Sequence, residues 1–123
     1  MSITVYGIPN CDTVKKARGW LDGLGLAYTF HDYKKAGIEP DKLREWVDAQ
    51  GWEAILNRRG PTFRNLPEND RTDLDATKAI RLMCASTSAI KRPVVEYESG
   101  DGKGLLVGVD PQKWSTALGG SLT

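Results

Sequence analysis

The chain has 123 residues, of which 40% are hydrophobic and 27% charged, the mixture of one ordinary globular domain with a core that requires neither disulfides nor metal. Seventeen Lys and Arg against sixteen Asp and Glu leave a net charge of +1, so there is no field for nucleic acid or a membrane surface. No apolar run reaches the roughly 18 residues of a membrane span, and composition excludes the collagen, disordered and disulfide-framework classes.

Residues 2–8, SITVYGI, are β-branched and alternate Ile3 and Val5 with Thr4 and Tyr6, which predicts a buried strand. Gly7, Pro9 and Asn10 then break the chain. From about residue 12 a helix is expected, with Val14, Ala17, Leu21 and Leu24 as its apolar stripe and Gly23 and Gly25 as its end. Residues 27–33, AYTFHDY, form a second strand. Strand, helix and strand in short succession point to a parallel, right-handed βαβ unit.

Pro40 fits the first turn of the next helix, whose stripe is Leu43, Trp46 and Val47 and whose end is Gly51. Trp52, Ile55 and Leu56 suggest a further helical turn. The segment NRRGPTFRNLPEND reads as a loop, and residues 74–86 as a helix facing inward through Ala76, Ala79, Ile80 and Met83. After a polar STS stretch, KRPVVEYES is a third strand, Gly100 and Gly102 mark a turn, and GLLVG returns. Asp110-Pro111 is an N-cap followed by a proline at the first helical position. Trp114, Ala117 and Leu118 face the final helix inward, and the tail GGSLT should be loose. The order β-α-β, helical insertion at about 36–86, β-β-α describes a single αβ domain over 1–123.

Cys11 stands where the first strand gives way to the first helix. The leading N–H groups of a helix have no internal partner, and its dipole is positive at that end. A thiolate there is stabilised, with Lys15 and Lys16 adding positive charge, and the same groups can hold an oxyanion or a carboxylate. The competing view is an inert cysteine packed as a small hydrophobe, but the polar, turn-rich flank GIPNCDT argues for a reactive thiol. Three places on stands Val14, so the motif is C-D-T-V, and a local dithiol is impossible. Cys84, four residues after Ile80, is expected to be a core cysteine. Cys11, Cys84 and His31 fall in no metal-ligand spacing. His31, mid-strand, is expected to be structural or exposed, far from a partner. Asp12 and Thr13 should cap the first helical turn, and Trp20, Trp46, Trp52 and Trp114 should be core.

Two further features stay open on residues alone. Pro93 either starts its strand harmlessly or forms a cis peptide beside Cys11. Arg58, Arg59, Arg64 and Arg71 are either a solvated surface loop or an anion pocket built from guanidinium forks.

Together, TVYGIPNCDTVKKARGWLD, ILNRRGPTFRNL and IKRPVVEY resemble the ArsC/Spx family of thioredoxin-like proteins, from about Ile3 to Trp114, and most of all its YffB-like branch of ArsC-related reductases. The resemblance implies a thioredoxin-like sheet with an inserted helical subdomain. It implies Cys11 as nucleophile, Arg92 as the oxyanion-binding arginine before a cis Pro93, and Arg59, or Arg58 in the alternative registration, as another active-site arginine. Asn10, Asp12, Thr13, Lys15, Arg58 and Pro93 would contact substrate.

Arsenate reductases of this type carry a third arginine after the last strands. Here the segment is GDGKGLLVGVD, with Lys103 and no arginine, and a lysine does not replace a planar fork. The resemblance therefore favours a glutathione-dependent thiol reductase acting on a disulfide or mixed disulfide. The alternatives are an arsenate reductase served by glutathione and glutaredoxin, or a non-catalytic Spx-like regulator that binds RNA polymerase. Spx-type members typically carry a C-x-x-C switch that Val14 removes here. No bound cofactor, metal, nucleic acid or membrane partner is expected. A monomer is expected, in the cytoplasm, since the opening residues lack the basic and apolar regions of a secretory signal.

Overall fold

The computed structural model describes residues 2–100 and 102–118. The tail expected to be loose, and Asp101 in the expected turn, lie outside them. The chain forms two compact units, one up to Asp32 and from Arg92 onward, the other Tyr33–Lys91.

The first unit is built on four strands, β1 (Ser2–Gly7), β2 (Thr29–Asp32), β3 (Val94–Ser99) and β4 (Gly102–Val107), in the order β2-β1-β3-β4. β1 runs parallel to β2, while β1–β3 and β3–β4 are antiparallel. Helices α1 (Asp12–Gly23) and α8 (Pro111–Leu118) belong to the same unit. Ile3, Val5, Val95 and Leu106 from the sheet meet Ala17 and Leu21 of α1 and Trp114 and Leu118 of α8 in one apolar core. Trp20 stacks on Trp114 with ring centroids 5.0 Å apart. The alternation of β1 thus places Ile3 and Val5 under the helices. Tyr6 points to the other face, where its hydroxyl donates to Glu96 Oε1 at 2.6 Å and its ring lies 5.0 Å from His31. The expectation that His31 has no nearby partner is corrected by this contact, which arises because parallel pairing sets His31 beside Tyr6.

The ends of α1 follow from backbone chemistry. Leu26 N–H bonds to Leu21 C=O and Gly25 N–H to Asp22 C=O, with Gly25 at φ +70°, the left-handed stop that glycine makes readily. Leu24 therefore caps the helix from outside it and is half-exposed, unlike Leu21, which has no exposed surface. The second unit contains α2 (Tyr33–Ala36), α3 (Pro40–Gln50), α4 (Trp52–Ile55), α5 (Pro61–Arg64), α6 (Glu68–Arg71), α7 (Ala76–Ala85) and a 3₁₀ turn at Thr87–Ala89. α3 packs on α4 and α7. Asp75 caps α7, its Oδ1 accepting from Lys78 N–H at 2.7 Å.

Several boundaries differ from the sequence expectation. β2 stops at Asp32 because its partner β1 ends at the paired Gly7, and Tyr33 opens a helical turn instead. β3 starts at Val94, since Pro93 has no N–H to enter the ladder. The expected loop after residue 56 holds two single helical turns, started by Pro61 at the first helical position and by Pro67 at the N-cap. Tyr33–Lys91 is wider than the expected insertion at both ends because Tyr33 donates to Ile90 C=O and Leu56 bridges Ile90. Trp46 and Trp114 are core as expected, but Trp20 and Trp52 are half-exposed.

Leu21→Ala should lower unfolding free energy by about 3 kcal/mol, and Leu24→Ala by less than about 1 kcal/mol, although both belong to one sequence stripe. Paired chemical denaturation curves measure the difference.

Candidate active site

Gly7 ends β1 and is buried. A methyl group on it would sit 2.7 Å from Val14 Cγ2, closer than real side chains approach, so the strand end and the first turn of α1 require glycine here. Val14 itself is fully buried. Between these two contact points, Pro9 and Asn10 form an exposed turn and Cys11 takes the N-cap position of α1, in extended conformation at φ −127° and ψ 122°. The Cys11 carbonyl accepts the first intrahelical bond from Lys15 N–H at 2.9 Å. The N–H groups of Asp12, Thr13 and Val14 precede that bond, and the half-exposed Cys11 side chain makes no capping hydrogen bond.

The expected capping role of Asp12 and Thr13 is corrected. Both lie inside the first turn and are exposed, while the capping position belongs to the cysteine. The positive end of the helix is therefore presented at the thiol, with Lys15 and Lys16 exposed on the following turn.

The antiparallel register sets Val94, the first residue of β3, opposite Tyr6 near the end of β1. Arg92 and Pro93 consequently lie at the same end of the sheet as the turn that carries Cys11. The Arg92–Pro93 bond is cis, as the resemblance implied. Pro93 is buried and its carbonyl accepts from Gly108 N–H at 2.8 Å. Arg92 is half-buried, and among the described residues its guanidinium has no hydrogen bond or ion pair.

Arg58 and Arg59 follow α4 in the second unit, and both are exposed. Asn57 Oδ1 accepts from the N–H groups of Arg59 and Gly60, each at 3.2 Å, forming the turn that presents the two arginines. The Arg58 guanidinium lies 5.5 Å from the Trp52 ring centroid, a cation–π contact. The Arg59 guanidinium has no partner among the described residues, so of the two it is the fork left available to an anion. Arg71 is occupied by the Leu66 carbonyl at 2.9 Å.

Lys103 pairs with Glu98 on β3, and Glu98 pairs with Ser2, the first residue of β1. Lys103 therefore stands at the end of the sheet away from Cys11. A groove of about 730 Å³ between α8 and the β3–β4 hairpin is lined by Tyr97, Lys103, Asp110 and Lys113 among others, but by neither Cys11 nor Arg92. No cluster of three His, Cys, Asp or Glu among the described residues could hold a metal. No helix among them is long and apolar enough to cross a membrane.

The Cys84 thiol is half-buried on α7, 4.0 Å from the Ile38 carbonyl. Burial, and then the Glu39 carboxylate, push its pKa up. Sequence inspection missed the roles of Gly7, Asn57 and Gly108. Gly7 carries a local signal, a small residue ending a strand seven positions before an apolar helical one. The Gly108 contact joins residues too distant in sequence to be seen.

The sequence pattern of the ArsC family matches residues 6–117. The solved structure of a YFFB (PA3664) protein is 50% identical and superposes with a TM-score of 0.87, covering 94% of this chain and 98% of that one. A solution structure of an arsenate reductase (ArsC) related protein from Brucella melitensis is 47% identical, with a TM-score of 0.71 over 96% of this chain and 95% of its own. The global transcriptional regulator Spx of Streptococcus mutans is 25% identical over 95 residues, 76% of this chain and 69% of its own. The sheet order and helices described above are those of the thioredoxin-like ArsC fold.

Two outcomes follow from this geometry. Gly7→Ala should destabilise the protein by about 1–3 kcal/mol, because Val14 must move with the helix start; it should also slow Cys11 alkylation, and peptide mass mapping with thermal unfolding measures both. Cys84 should be alkylated more slowly than Cys11, its rate rising only at higher pH than for an ordinary cysteine, because a raised pKa leaves less thiolate at a given pH.

Proposed function

Since the chain belongs to the ArsC family, we propose that it is a cytoplasmic thiol–disulfide reductase using the single nucleophile Cys11 and glutathione as co-substrate. The observation that carries this reading is the pairing of an N-cap cysteine with a buried valine three residues later. A thiol at this place has the helix field in its favour but no local second thiol to resolve a disulfide. The resolving thiol is therefore supplied from outside, and Cys84, with its raised pKa, is a poor candidate for that attack.

In the first step the Cys11 thiolate attacks the glutathionyl sulfur of a mixed disulfide. The Cys11–glutathione bond forms, the substrate S–S bond breaks, and the substrate leaves as a thiolate that takes up a proton. In the second step a glutathione thiolate attacks the glutathionyl sulfur held by Cys11. Oxidised glutathione leaves and the Cys11 thiolate is restored, so one glutathione thiol is oxidised for each substrate thiol that is freed. Arg92 would orient a carboxylate of glutathione. Asn10, Asp12, Thr13 and Lys15 would line its approach, with Pro93 beside them. A glutaredoxin could take over the second step, and a monomer suffices for all of it.

Two other readings have weaker support. Arsenate reduction would want a third planar fork, and Lys103 stands at the far end of the sheet. A regulator of the Spx kind would act without turnover, and the absence of a second cysteine removes the usual switch at this helix.

Treatment with oxidised glutathione should add one glutathionyl group to the native protein and none to Cys11→Ser, as read by intact mass. Adduct on Cys11→Ser alone, or none on either protein, would overturn the proposal. Coupled arsenate turnover with glutathione and glutaredoxin should be about two orders of magnitude below that of an enzyme with three arginines, the effect of losing one charge-assisted contact worth roughly 3 kcal/mol.

A further inference from the structure

Gly108 follows β4, and both of its backbone polar groups are committed. Its N–H donates to the Pro93 carbonyl at 2.8 Å, and its carbonyl accepts from Trp114 Nε1–H at 3.1 Å. With φ at +74°, Gly108 holds the left-handed conformation that glycine adopts without cost, so the chain can turn from β4 toward α8 while facing both partners. Trp114 has no exposed surface and stacks on Trp20 of α1, the helix whose N-cap is Cys11. One indole thus joins α1, through its ring, to Gly108, through its N–H. Its ring packs against α1, and its N–H holds the residue that holds Pro93, next to Arg92.

A buried indole N–H needs an acceptor, but any nearby carbonyl would satisfy it. This one satisfies it on the backbone that anchors the segment before β3. We propose that Trp114, acting through Gly108, is a positioning residue that fixes the Arg92–Pro93 segment against the Cys11 end of the sheet and so sets how strongly an anionic reactant is drawn to the thiol. The inference rests on the reading above that Arg92 serves Cys11.

The test compares alkylation of Cys11 by iodoacetate, which is anionic, with iodoacetamide, which is neutral. The ratio of the two rates reports the positive charge at the thiol and does not depend on glutathione turnover. Arg92→Gln should lower this ratio by about threefold, the size expected of one half-exposed charge. Trp114→Phe keeps an aromatic ring in the stack but removes the N–H, and should lower the ratio in the same direction. Gly108→Ala, whose methyl group meets no atom within 4 Å, disturbs only the left-handed backbone and should do likewise, which keeps the test intact if Trp114→Phe folds poorly. Leu118→Ala, in the same core but bonded to neither Gly108 nor Pro93, should lower thermal stability and leave the ratio unchanged.

If Arg92→Gln lowers the ratio while Trp114→Phe and Gly108→Ala match the native protein, the positioning role is overturned and the function of Arg92 stands. If Leu118→Ala lowers it equally, Trp114 is merely structural and the proposal fails. If Arg92→Gln leaves the ratio unchanged, there is no charge at Cys11 for Trp114 to position, and both this proposal and the role given to Arg92 are overturned.

Discussion

The contact between Gly7 and Val14 is the constraint on which the site depends. A strand end and a helix start approach so closely that no side chain fits at residue 7. Because Val14 is fully buried, the first turn of α1 can relieve the approach only at a cost in packing. The intervening residues must then leave the sheet and re-enter the helix within a few positions, and the N-cap falls on Cys11. A polar side chain would ordinarily fill that place and bond a free N–H. Here a thiol occupies it, and the unpaired donors of the helix remain available for chemistry.

Positive charge in the two units is divided between groups that are used and groups that are open. Arg18 lies over the Phe30 ring at 4.3 Å and donates to the Tyr28 hydroxyl, so it braces α1 against β2 and its flank. Arg58 is drawn to Trp52 and Arg71 to a carbonyl. Arg59 and Arg92 have no such engagement among the described residues. A guanidinium with no internal partner remains fully able to bind an incoming carboxylate or oxyanion, whereas a stacked or bonded one must first be released. Among the described residues, the contacts distinguish the engaged Arg18, Arg58 and Arg71 from Arg44, Arg59, Arg64, Arg81 and Arg92, which have no such side-chain contact.

Much of this was legible in the residues because local and global demands coincide. Ile3 and Val5 alternate with Tyr6, and the same alternation assigns the two sheet faces. Val14, Ala17 and Leu21 share a helical stripe and do share the core. Asp110 reads as a cap and is one. Illegible features depend on distant partners. Tyr33 looks like the last residue of a strand until its hydroxyl finds Ile90. Leu24 looks like a fourth stripe residue until Gly25 turns the chain. Asp12 and Thr13 look like caps because residue type favours them, yet the Gly7–Val14 contact moves that position to the cysteine. His31 offered no sign of Tyr6, which only parallel pairing brings beside it.

Val14 has one more consequence. It fills the place where a second thiol would make a self-contained dithiol, so Cys11 cannot store an oxidising equivalent by bonding to a near neighbour in its own helix. With two cysteines in the chain, any disulfide at Cys11 other than one to Cys84 joins it to a separate molecule. Such an oxidised state differs from the reduced one in mass, charge and shape, since it carries a passenger. Its abundance follows the concentration of that passenger as well as the ambient potential. With valine at this place, oxidation of Cys11 to a disulfide would require a second thiol from beyond its own helix turn, so supply of that thiol and not electrons alone would set its extent.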